Sequence, residues 1–269
     1  MVTLRKTIEK PTRKNHLLSK TKKITRPIFA LLVLVSVWEI IPRIGIVDRV
    51  FLPPFSEVIT TWWRLALNGE LWKHFSTSIT RSALGFFIAI IIAVPLGLLI
   101  GWYPFMRDTL NPVLELFRNT AALALLPVFI LILGIGELSK VSIIVFACVW
   151  PILLNTIAAV RDVDPLYIKS AKSMNVNDLQ LFKKVILPAS IPTIFTGIRM
   201  AGTGAVLVLI AAEMIGAKAG LGYYITFTQY NFQIPEMYAG ILTISIVGLT
   251  INQLLLFTEK YFSKWKPTR

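Results

Sequence analysis

Charge is scarce in this sequence: Asp, Glu, Lys and Arg make up 16% of its residues, against about a quarter in ordinary soluble domains. The deficit is local, and residues 82–102 carry no charge at all. A bilayer core roughly 30 Å thick is crossed by about 20 apolar residues in helical form. In lipid the backbone polar groups must pair within their own segment. The missing charge therefore excludes a soluble domain and predicts an all-α integral membrane protein. Histidine and cysteine are nearly missing as well. His16 and His74 stand far apart, without metal-ligand spacing, so no metal site is predicted. Cys148 is the single cysteine, which excludes a disulfide within the chain and leaves a small packing residue in an apolar run. No Gly-Lys-Ser or Gly-Lys-Thr phosphate loop occurs, so the chain has no visible means of hydrolysing ATP and no cofactor is expected. A membrane enzyme would need a catalytic cluster. There is no zinc motif, no nucleophile elbow and no histidine beside a predicted span.

What is abundant is positive charge, with 28 Lys and Arg against 14 Asp and Glu. Nucleic-acid motifs are absent, and the cations lie at the termini and between apolar runs. They read as topology signals and contacts to anionic headgroups of membrane lipid. Six spans are predicted, at about 27–46, 79–103, 120–136, 141–160, 191–215 and 238–261. With the N-terminus inside, only Arg43, Arg49, Arg64, Lys73, Arg81, Lys140 and Lys218 fall on the outer side; every other Lys and Arg falls inside. Both termini are thus expected in the cytoplasm of a multi-pass protein. The basic stretch before the first span is too long for a signal peptide. The organisation expected is a basic cytoplasmic tail at 1–26, a first span with an external amphipathic loop at 27–78, a core at 79–262 and a cytoplasmic tail at 263–269. The core includes a cytoplasmic segment at 161–190. Trp62 and Trp63 in the loop suit a membrane interface.

The cytoplasmic segment is the most informative. Asp164 before Pro165 is a helix start, and a short helix over 165–174 should follow. Asn175 sits where a left-handed residue ends a helix, and Asn177 can cap a second one. On that second helix Leu179, Phe182, Val185 and Ile186 share a face, with Pro188 and Pro192 predicted to break the chain before the next span. The segment reads either as a solvated connection or as a helix–turn–helix built to dock something against the inner membrane face. Its length, double capping and amphipathicity favour docking.

Here the chain resembles the permease subunits of ATP-binding-cassette importers. Their cytoplasmic motif is Glu-Ala-Ala, three residues, Gly, nine residues, Ile, one residue, Leu-Pro. At the same spacing stand Lys169-Ser170-Ala171, Asn175, Val185 and Leu187-Pro188. Ala171, Leu187 and Pro188 keep the family residues, Val185 is a close substitute, and Lys169, Ser170 and Asn175 depart from the pattern. Over about residues 50–262, segments such as LFRNTAALALLPVFILILGIGELSK, WPILLNTIAAVRDVDPLYIKSAKSM, ILPASIPTIFTGIRMA, AAEMIGAKAGLGYYI and QYNFQIPEMYAGI are similar to the nitrate, sulfonate and taurine branch. The resemblance implies a type I, methionine-importer-like fold in a bacterial inner membrane. It implies a homodimeric pore, cytoplasmic ATPase subunits docked on a coupling helix, and an extracytoplasmic solute-binding protein. It also implies a small anionic cargo, such as an aliphatic sulfonate, taurine or nitrate, with bicarbonate or a pyrimidine vitamin precursor as further candidates.

Polar residues within spans are costly and mark pathways or helix contacts. Glu213, near the outer end of the fifth span, reads as a gate or as an interfacial residue. Asn155 and Thr156 in the fourth span, and Asn252 with Gln253 in the sixth, read as pathway residues or as interhelical hydrogen-bond donors. The rival to an importer pore is an ATP-independent secondary transporter or channel, which would need paired intramembrane charges or broken helices in repeated positions.

Overall fold

The computed structural model describes residues 13–262; the first twelve residues and the predicted tail at 263–269 lie outside them. Chain contacts separate residues 1–61 from residues 62–269. In the first unit, helix α1 (Arg13–Arg43) carries the apolar run beginning at Ile28. It starts well before the predicted boundary at residue 27. Glu39 and Arg43, which interrupt the apolar run, form a polar joint. Arg43 pairs with Glu39, and the Glu39 carboxylate accepts the Ser56 amide at 2.9 Å and the Ser56 hydroxyl at 2.8 Å. Those bonds satisfy a free N–H at the start of α2 (Phe55–Leu67).

In the second unit, helix α3 (Glu70–Trp102) begins inside what the sequence predicts as external loop up to residue 78. Gly69, at φ +77°, separates it from α2. The polar first turns of α3 are helical because His74, Ser78 and Arg81 are buried and paired. The expected third span is not one helix. Its residues form a 3-10 turn (Ala122–Leu125) and a short α5 (Leu126–Leu133), and an amphipathic α4 (Pro104–Arg118), outside the predicted span, precedes them at a bend of 83°. Pro127 marks the change from the 3-10 turn to α5, since proline suits the first turn of a new helix and not the interior of a longer one. Helix α6 (Glu137–Arg161) follows. Among the described residues four helices are long and apolar enough to cross a membrane, or five if the bent pair is one span.

The core is a three-helix stack of α3, α6 and α9 (Leu187–Met214). Its close approach rests on small residues. A Cβ at Gly85 would lie 2.7 Å from the Ile144 Cβ, one at Gly97 2.6 Å from the Thr156 Cβ, and one at Gly197 2.6 Å from the Asn155 Cβ. Around these contacts Ala89, Ala93, Ile143, Cys148, Ile152 and Ala201 are sealed from solvent. Helices α10 (Leu221–Tyr230) and α11 (Ile234–Phe262) complete the unit. The Trp62 indole donates to the Thr243 hydroxyl of α11 at 3.0 Å, and Arg64 pairs with Glu236 at 2.8 Å.

Candidate functional site

Two polar constructions lie at opposite ends of α9. At its start is the hairpin of α7 (Pro165–Ser173) and α8 (Asp178–Leu181). The Asp164 carboxylate accepts the Leu166 amide and the Asn177 side chain accepts the Gln180 amide, each at 2.8 Å. Asn175 adopts φ +54° between the helices. Asn tolerates this left-handed conformation better than other side chains do, yet glycine is better still. Asn175→Gly should therefore stabilise the hairpin by up to about 1 kcal/mol and Asn175→Val destabilise it by about 1–2 kcal/mol. Thermal unfolding of the purified protein checks both signs.

No break precedes α9. A π turn (Phe182–Ile186) joins α8 to α9, with the Leu187 amide donating to the Phe182 carbonyl. The wider turn accommodates Pro188, whose ring would otherwise collide with the carbonyl one turn back. It also changes the register. Leu179 is exposed, contrary to the α-helical expectation, while Leu181 and Ile186, five residues apart, are buried together. Val160, Val163, Ala171, Leu181 and Ile186 form a small core beneath the hairpin, with Phe182 and Val185 against it. Ala171 thus faces inward. Leu166, Tyr167, Met174 and Leu179 face out, as do Lys169 and Ser170.

At the other end of α9 lies a buried ion-pair network. The Arg81 guanidinium donates from Nη1 to Glu213 Oε1 at 2.7 Å and to the Ala219 carbonyl at 2.6 Å. Its Nε and Nη2 form a fork on the Glu137 carboxylate, both at 2.5 Å. The Ser78 hydroxyl lies 2.8 Å from Glu213 Oε2 and accepts the Leu221 amide at 2.8 Å. The Gly222 amide donates to Glu213 Oε2 at 3.0 Å, and the Gly220 amide to His74 Nδ1 at 3.2 Å. Lys140 donates to the Gly136 and Gly216 carbonyls at 3.1 and 3.3 Å. Arg81 and Lys140, expected as outer-surface topology signals, are therefore buried members of a site. A histidine does stand inside a span-forming helix, as a packing and hydrogen-bonding residue beside Tyr223 and Tyr224. Tyr224 itself is buried, which pushes its phenol above the usual tyrosine range.

Residues 85–266 match the family of binding-protein-dependent transport system inner membrane components. The chain belongs to that family. It is 33% identical to a Bacillus subtilis protein named as an aliphatic sulfonates transport permease, over 87% of this chain and 85% of that one. It is 31% identical to the taurine transport system permease of Escherichia coli, over 91% of each. An inward-facing structure of a methionine ABC transporter superposes with a TM-score of 0.61 at 18% identity, covering 71% of this chain and 93% of that one; it shares the fold. This ABC importer permease is thus a transport component, and ATP hydrolysis belongs to partner subunits. A solute-binding protein is the other partner that the family implies.

The permease does not gather the four predicted pathway residues at one place. Glu213 is wholly buried in the Arg81 network. Thr156 is wholly buried against Gly97, its hydroxyl donating to the Ile152 carbonyl at 2.7 Å. Asn155 packs on Gly197 and donates to the Pro151 carbonyl at 2.7 Å. Asn252 is half-buried on α11. Sequence reading missed Arg81, Ser78, Glu137 and Lys140 as site residues. The available signal was Glu213 itself, because an acid inside an apolar run requires a cationic partner, and Arg81 stands at the edge of another such run.

Proposed function

We propose that this chain forms the translocation pathway for a small organic or inorganic anion, a sulfonate or taurine first, by alternating access in a homodimer. The sulfonate and taurine relatives support that cargo. We assign both termini to the cytoplasm, in a lipid bilayer of the bacterial inner membrane, and the cation distribution supports that orientation. Asp164, Pro165, Lys169, Ser170, Ala171, Asn175, Val185, Leu187 and Pro188 are assigned to the ATPase-coupling segment. The observation that carries this is the division of labour in the hairpin. Its inner face is fixed in a core of its own, and it holds Leu166, Tyr167 and Met174 outward on a capped, rigid frame. Exposed apolar groups on such a frame suit a protein partner. Among the pathway candidates, Asn155 and Asn252 are assigned to the pore. Thr156, sealed between two helices, is assigned to packing, and Glu213, wholly buried in the Arg81 network, to fixing the outer connection after α9 rather than to a moving gate.

Leu166→Glu should reduce both co-purification of the ATPase subunits and ATP-driven uptake by about tenfold, as for a truncated interface anchor. Full uptake in that variant would remove the hairpin from the coupling role. Ala171→Asp would report on the hairpin's own core instead. Uphill transport by vesicles holding this chain alone would favour the secondary-transporter reading. Binding of taurine, alkanesulfonates, nitrate and bicarbonate to the companion solute-binding protein identifies the cargo.

A further inference from the structure

Connections at a membrane surface are ordinarily mobile and contact water. The segment joining α9 to α10 is held otherwise. Its backbone groups are taken up one after another by side chains of the core: the Gly216 carbonyl by Lys140, the Ala219 carbonyl by Arg81, the Gly220 amide by His74, the Leu221 amide by Ser78 and the Gly222 amide by Glu213. Gly220, at φ +117°, lies so close to the Glu213 carboxylate that any Cβ there would overlap it. A buried Arg–Glu pair and a buried lysine are expensive means of fixing a mere connector. What they fix stands a helix length from the coupling hairpin, about 42 Å for the 28 residues of α9, at the opposite membrane face. Exposed on and beside this rigid strap are Met214, Ile215 and Lys218, with Lys73 next to the His74 that grips it. Among the described residues neither Lys73 nor Lys218 has a carboxylate within ion-pair distance.

We propose that the 214–220 strap is the docking surface for the solute-binding protein, that it meets an acidic patch on that protein through Lys73 and Lys218, and that Arg81 and Glu213 are positioning residues that hold it in shape. Two unpaired cations on a pre-ordered backbone are what an acidic protein face fits. Pre-ordering removes the entropy that a mobile loop would lose on docking. The proposal rests on the importer reading above and on its orientation.

The test uses the complete transporter, with its ATPase subunits, in nanodiscs. ATPase activity is titrated with the ligand-loaded solute-binding protein at several salt concentrations. Lys73→Glu combined with Lys218→Glu should raise the half-saturating concentration about tenfold, flatten its salt dependence, and keep the rate at saturation. Gly220→Ala, acting from within, should also raise the half-saturating concentration. Wild-type stimulation with the double charge variant unchanged in half-saturation and salt dependence would overturn the strap assignment alone. A wild-type complex that the binding protein never stimulates would overturn the importer reading, and the strap with it. The lysines are exposed, so their variant gives an answer even if Gly220→Ala fails to assemble.

Discussion

Arg81→Met is expected to destabilise the folded permease by about 3–5 kcal/mol, the penalty for stripping the partner from a buried charge. The Arg81 side chain is 5% exposed and that of Glu213 is not exposed at all, so water cannot replace the lost guanidinium. The Ala219 carbonyl would lose its donor in the same step. Adding Glu213→Gln should recover part of the loss, because the amide is neutral and still accepts the Gly222 N–H. Glu137→Gln should matter far less, under about 1 kcal/mol, since the Glu137 side chain is 66% exposed and water takes over its role. Thermal unfolding of the detergent-purified protein orders the three variants. Equal midpoints for Arg81→Met and Glu137→Gln would contradict the burial argument.

The second large effect is steric. Gly97→Ala should destabilise the α3–α6 contact by about 2–3 kcal/mol. The added methyl would meet the Thr156 Cβ at 2.6 Å and the Leu153 carbonyl at 3.0 Å. Neither can swing aside as a side-chain tip could, so the helices must separate along a contact that buries Ile152, Ile157 and Ala93. The matched control is Gly248→Ala on α11, where no atom lies within 4 Å of the added carbon. There the same substitution should be neutral, or stabilising by up to about 1 kcal/mol through helix propensity. Protease resistance and unfolding midpoints of the pair separate packing from propensity.

Helix positions were legible where one signal acted alone. α6 and α11 follow from unbroken apolar runs, and the caps at Asp164 and Asn177 follow from side chains that bond to their own neighbours in sequence. Boundaries failed where two signals competed. The polar residues of 70–78 read as loop because their partners, Glu213 and the Gly220 and Leu221 amides, lie some 140 residues away in sequence. Leu179 read as a buried residue because a π turn, which carries no sequence signature strong enough to see, rotates the register after it.

Taken by itself, the sequence determined that this is a helical membrane protein without an ATPase motif, bearing a capped hairpin between two spans. Each of those properties is set by residues within a few turns of one another, or by composition. Only the tertiary structure decided that Arg81 and Lys140 are interior groups rather than surface cations, that Ala171 faces a core, and that backbone groups of the 214–220 segment are bonded to core side chains. Those are outcomes of long-range pairing. Whether a charge is buried depends on which distant group meets it, and a linear chain does not carry that information locally.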